Sequence, residues 1–225
     1  GSWKRIKVVF TSASQRRILF EGQEMTFGGI YRHPTRGIWP TSRDIGPKVV
    51  VVGDSYGQMY DTAVRWVWDS FAMVAGRLLN WNVYPNCISG TGYLNDGYGA
   101  GEQTYYQRFT SDVTSHNPDI VVFTGGLNDN GLTLASVNTA IGNTFALAKS
   151  DLPSARLIAL WPFSPLSTYY YSLATIGAYI AAQGSTYGVT VIGYTNTGPI
   201  EYINGNGKIG ATTGVGNSDY YTRSD

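Results

Sequence analysis

From Lys48 onward the chain alternates between short continuous apolar runs and longer stretches with apolar residues three and four positions apart. Residues 48–52 (KVVVV) form an unbroken β-branched run, the pattern of a strand buried on both faces of a parallel sheet. The same pattern recurs at 119–124 (DIVVFT), 156–161 (RLIALW) and 189–194 (VTVIGY), and residues 81–85 offer a weaker strand. Between these runs, residues 61–80 set Val64, Val67, Phe71, Val74 and Leu78 on one helix face. Residues 133–149 do the same through Leu134, Val137, Ile141, Phe145 and Ala148, and 169–183 form the next helix. Strand and helix therefore alternate, which predicts an α/β fold with a parallel sheet flanked by helices.

The first 45 residues have a different rhythm. Short β-branched or aromatic segments at 3–11, 17–20 and 24–30 are separated by polar turns, as in a few antiparallel strands. They read as a β-rich N-terminal segment, the end of an upstream β-domain, followed over 31–47 by a covering loop with three prolines and two glycines. The expected division is thus 1–45 and 46–225.

Composition narrows the function. The 225 residues are 43% hydrophobic and 14% charged, which suits one packed domain with a small appendage. A net charge of +1 and the lack of any Lys/Arg run disfavour a nucleic-acid partner. No apolar stretch approaches the roughly 20 residues of a membrane span. Cys87 is the only cysteine, so no internal disulfide forms, and it reads as a small buried hydrophobe. His, Cys and carboxylates do not cluster at metal-ligand spacing, so neither metal nor cofactor is expected. The 17 tyrosines and 6 tryptophans suit a surface that touches sugars, with Tyr169-Tyr170-Tyr171 as one candidate rim.

In open parallel sheets, ligands bind beyond the carboxyl ends of the strands. Three polar, glycine-rich turns fall there: Gly53-Asp54-Ser55-Tyr56-Gly57, Ile88-Ser89-Gly90-Thr91-Gly92 and Gly126-Leu127-Asn128-Asp129. A serine just past a buried strand exposes its hydroxyl, and an asparagine amide on the next turn can donate to a developing oxyanion. A backbone N–H at Gly90, or at Gly92 if the loop is shifted, can join it. Asp54 and Asp129 read as anchors for their turns.

These three blocks resemble those of the SGNH (GDSL-type) hydrolases over residues 48–225. The resemblance implies that Ser55 is the nucleophile and that Gly90 and Asn128 are oxyanion donors. That family's last block is Asp-x-x-His, and the sequence ends at Ser224-Asp225. The resemblance therefore makes Asp225 the acid of the triad, with its histidine expected three positions beyond residue 225. His33 and His116 are poor substitutes, lying in the β-rich segment and in a polar stretch before Pro118. The implied activity is removal of a small acyl group, O-acetyl above all, from a carbohydrate ester. The rival reading is a catalytically silent carbohydrate-binding or structural module, of the kind found in phage or secreted assemblies.

Overall fold

Four consecutive valines, Val49 to Val52, have two faces to bury, and the fold supplies an apolar layer for each. The computed structural model describes residues 46–58, 70–99, 101–162 and 170–193, with backbone only over 170–172. The chain divides into two units, Gly1–Asp44 and Ile45–Asp225, and every described residue belongs to the second. The β-rich reading of residues 1–45 lies outside the described residues.

Five strands form one all-parallel sheet: β1 (Lys48–Gly53), β2 (Asn82–Cys87), β3 (Ile120–Phe123), β4 (Arg156–Leu160) and β5 (Thr190–Ile192). Their spatial order is β2-β1-β3-β4-β5. The chain leaves β1 toward one neighbour and returns on its other side, so the connections after β1 and β3 part at the carboxyl edge. A crevice opens at such a reversal of strand order. The register is continuous there, with Gly53 opposite Cys87 and Val52 opposite Phe123.

The helices are α1 (Ser55–Gln58), α2 (Phe71–Leu79), α3 (Tyr105–Asp112), α4 (Leu134–Asp151) and α5 (Tyr170–Tyr187). Val50 and Val52 point into a layer built with α3, α4 and α5, through Phe109, Ile141, Phe145 and Ile180. Val49 and Val51 point the other way, toward Ala72 of α2 and Cys87. An edge position explains how β2 tolerates Pro85: an edge strand needs only one side of its backbone for the ladder.

One helix differs from its sequence pattern. Ser70 is extended, and its hydroxyl accepts from Met73 N–H, so a helix starts at Phe71 instead of running unbroken through 61–80. Nor does α2 bury Phe71 and Leu78; Leu78 is 80% exposed, and the buried residues are Ala72 and Gly76. Close approach is the cause. A Cβ at Gly76 would lie 2.6 Å from Val83 Cγ2, so the helix packs its smallest residues against β2. Similarly, Leu134 is exposed at the start of α4, whose buried face begins at Val137.

Phe145 meets Tyr93 edge-on at 5.9 Å and Phe123 at 5.2 Å, joining α4 to the sheet and to the loop after β2. Phe145→Ala is expected to cost about 3–5 kcal/mol of unfolding free energy in urea titrations. A loss below about 1 kcal/mol would show that the layer collapses to fill the gap.

Candidate active site

The carboxyl edge of the sheet is stitched across by hydrogen bonds from three successive turns. After β1, Asp54 accepts Tyr56 N–H on Oδ1 at 3.0 Å, and its carbonyl accepts from Gly57 and Gln58, which starts α1 at Ser55. Asp54 is thus the anchor of its turn, as the sequence suggests. Ser55 itself is half-buried, and its backbone N–H has no partner among the described residues.

After β2, Ile88 N–H donates to Gly53 O at 3.0 Å and Ser89 N–H to Gln58 Oε1, tying this turn to the Ser55 turn. Gly90 sits in the tight turn closed by Thr91 N–H on Ile88 O, with φ at 79°. Such a value favours glycine. The N–H of Gly90 has no partner among the described residues, whereas Gly92 N–H donates to Asn95 O at 2.8 Å. Of the two glycines, Gly90 therefore keeps the donor free.

After β3, Asn128 donates from Nδ2 to Thr91 O at 3.0 Å, which sets its amide beside Gly90. An amide nitrogen carries two hydrogens, so one remains for a ligand. Asp129 is fully buried and accepts from the backbone N–H of Tyr93, Leu94 and Asn95, each at 2.9 Å. Asn95 in turn donates from Nδ2 to Asn128 O at 2.8 Å. Asp129 is a scaffold that draws the loop after β2 onto the turn after β3. Burial raises its proton affinity, opposed by those three N–H donors.

Sequence reading missed Arg108. It lies on α3, only 2% exposed, and reaches Gly53 O and Asn86 O at 3.0 and 2.7 Å, and Asp112 at 3.2 Å. An isolated arginine in a polar stretch gives no sequence signal of burial. Its charge faces a site that also holds Asp54, which is 2% exposed. Burial pushes the Asp54 carboxyl up to about 7, with the nearby Asp129 charge adding to the shift and Tyr56 N–H and Arg108 opposing it.

An apolar hollow of about 250 Å³ opens beside the Ser55 turn, lined by Asp54, Tyr56, Phe71, Leu127, Trp161 and Pro162 among others. Ser55, Gly90 and Asn128 are not in its wall. His116 is remote from all of this: its carbonyl accepts from Lys48 Nζ at the amino end of β1, and its ring packs on Tyr84. Asp225, His33 and the Tyr169–Tyr171 side chains lie outside the described residues. Among the described residues, no group of His, Cys, Asp and Glu is placed to hold a metal ion. No described helix is long and apolar enough to cross a membrane.

No protein-family model matches the chain, and neither does any curated protein. Solved structures do match. A protein assigned to the G-D-S-L lipolytic family from Desulfitobacterium hafniense superposes with a TM-score of 0.54 at 20% identity, over 65% of this chain and 76% of that one. A carbohydrate esterase family 2 enzyme with a carbohydrate-binding domain, from Corynascus thermopiles, gives 0.56 at 18% identity, over 71% and 60%. An acetylxylan esterase from Geobacillus stearothermophilus gives 0.52 at 15% identity, over 66% and 76%. The chain has the SGNH-hydrolase-like α/β fold that its sequence blocks imply.

The Asp54 carboxyl binds its proton more tightly in the folded chain than at the ordinary value of 3.8. The stability linked to it is therefore complete below about pH 4 and lost as pH rises through about 7. Asp54→Asn keeps an acceptor for Tyr56 N–H and removes the charge. Between pH 5 and 8, wild type should lose up to about 3 kcal/mol relative to Asp54→Asn in urea unfolding. Parallel pH profiles for the two proteins would remove Asp54 as the source of this dependence.

Proposed function

We propose that the chain is a serine ester hydrolase, with Ser55 as nucleophile and the N–H groups of Ser55, Gly90 and Asn128 as its oxyanion donors. One observation carries the reading. The Ser55 turn, the Gly90 turn and the Asn128 turn are hydrogen-bonded to one another, while the N–H of Ser55 and of Gly90 remain without partners among the described residues. Unused backbone donors beside a serine at a sheet edge are what an acyl-transfer site requires. The shared fold with G-D-S-L and carbohydrate esterase structures supports it.

In the proposed reaction, Ser55 Oγ attacks the ester carbonyl as its proton passes to a histidine oriented by Asp225. The carbonyl oxygen takes the negative charge within reach of the three donors. Collapse of the tetrahedral species breaks the ester C–O bond, and the alcohol leaves with the proton from histidine. Water, deprotonated by the same histidine, then attacks the acyl-enzyme. The acid departs and Ser55 recovers its hydrogen.

The finer reading is that the acyl group is small, O-acetyl above all, and that the alcohol is a carbohydrate. It is supported by the carbohydrate esterases among the similar structures and by the tyrosine- and tryptophan-rich composition. The apolar hollow lined by Asp54 and Tyr56, the two neighbours of Ser55, offers space to an acyl methyl.

In the natural protein, p-nitrophenyl acetate should be hydrolysed, and Ser55→Ala should abolish turnover while the circular dichroism spectrum is kept. An active Ser55→Ala protein would sink the proposal. Asn128→Ala should lower kcat by about 10²-fold or more with little change in KM, because its donor acts on the transition state. Asn128→Asp should be at least as damaging, since it sets negative charge beside the oxyanion. Wild-type rates in both variants would reduce Asn128 to a turn residue.

A further inference from the structure

A large aromatic ring stands in solvent over the buried Gly90. Tyr98 is 83% exposed, yet its ring lies directly on Gly90: a Cβ built there would be 2.5 Å from Tyr98 Cδ2 and 2.7 Å from Cε2. Exposing a tyrosine forgoes the burial of a large apolar area, which folding normally gains, so such a ring at a candidate site calls for a ligand.

The ring's backbone is held in place from both sides. Tyr98 and Gly99 donate their N–H groups to Glu102 Oε2 at 2.7 and 2.8 Å, and Glu102 N–H returns to Gly99 O at 3.2 Å. Upstream, Gly97 N–H donates to Asn95 Oδ1 at 2.9 Å, and Asn95 is the residue that grips Asn128 O and Asp129. The network that orders the proposed oxyanion donors thus also sets the base of Tyr98. Little conformational entropy is left in the backbone of residues 97–99 to be lost on binding.

The surroundings of the ring choose the ligand class. Its neighbours along the chain are Asp96, Gly97, Gly99 and Glu102, none of which carries an apolar side chain that would extend the ring's surface toward an acyl chain or a lipid. One exposed apolar face in a stretch that carries the carboxylates of Asp96 and Glu102 matches a pyranose or furanose ring, whose C–H face is apolar and whose edge is all hydroxyl. We infer that Tyr98 is a sugar-stacking platform, seating the alcohol half of a carbohydrate ester against the Gly90 side of the site. This rests on the reading of Ser55 as nucleophile and adds to it the residue that selects the alcohol.

The test compares two substrates and one unreactive ligand in the natural protein. For acetylated xylo-oligosaccharide, Tyr98→Ala should raise KM about tenfold, the scale of one lost aromatic contact. Its loss on that substrate should exceed its loss on p-nitrophenyl acetate by a similar factor, and Tyr98→Trp should restore the oligosaccharide KM. Equal losses on both substrates would mean that Tyr98 only props the Gly90 turn, and an unchanged oligosaccharide KM would remove it from recognition; either overturns the inference. If wild type hydrolyses neither substrate, the esterase reading fails by itself, and titration with unacetylated xylohexaose decides the platform. Binding weakened about tenfold by Tyr98→Ala upholds it. Equal affinity in wild type and variant, or no binding to wild type, overturns it.

Discussion

One buried carboxylate organises the functional edge of this fold. Asp129 draws three consecutive backbone N–H groups, from Tyr93, Leu94 and Asn95, onto two oxygen atoms. A loop that would otherwise leave those donors unsatisfied beneath the surface is thereby bent back toward β3. Burying a carboxylate is expensive, and three charge-assisted hydrogen bonds are the usual means of offsetting it. The geometry of everything above follows. Gly90 and Thr91 are brought next to Asn128, and Asn95 is left facing the Asn128 carbonyl.

Arg108 performs the matching task on the other side. The β1–β2 ladder ends at Gly53 and Cys87, where Gly53 O already accepts from Ile88 N–H and has a second lone pair to fill. The guanidinium covers Gly53 O and Asn86 O together and stacks over the Tyr105 ring, while the Tyr105 hydroxyl reaches Thr124 O. A single helix, α3, thus supplies donors to the ends of three adjacent strands. Asp54 and Asp129 are buried at the same edge, and desolvation raises both carboxyls, with Arg108 opposing the shift at Asp54. A site of this kind is electrostatically set before any ligand arrives, because its dipoles and charges are locked in by the packing that forms the sheet.

Much of this architecture is legible from residue pattern. The runs at β1, β3 and β4 are doubly buried, so their apolar character is nearly undiluted, and the strands lie where that pattern predicts. At β2 the signal weakens, because an edge strand has half-buried positions and admits Pro85. On α2 periodicity misleads: Phe71, Val74 and Leu78 mark a helix face, but contact distance to β2 is decided by Ala72 and Gly76. The turn residues Asp54, Gly90 and Asn128 stand out because they follow strands directly. Arg108, Asn95 and Tyr98 do not, since what gives each its place is a partner tens of residues away or a surface that only the folded loop creates.

Cys87 closes β2 with its thiol wedged between Gly53 and Gly57, donating weakly to Val51 O at 3.5 Å. Burial holds it protonated far above the usual thiol range, and only a thiolate reacts readily. In the native chain this sulfur is therefore chemically silent toward alkylating reagents. It becomes available when the seam opens between the end of β2 and α1, whose Gly57 lies against the sulfur just past Ser55. The lone thiol is thus a built-in clock: its labelling rate counts how often that seam opens, residue by residue silent elsewhere.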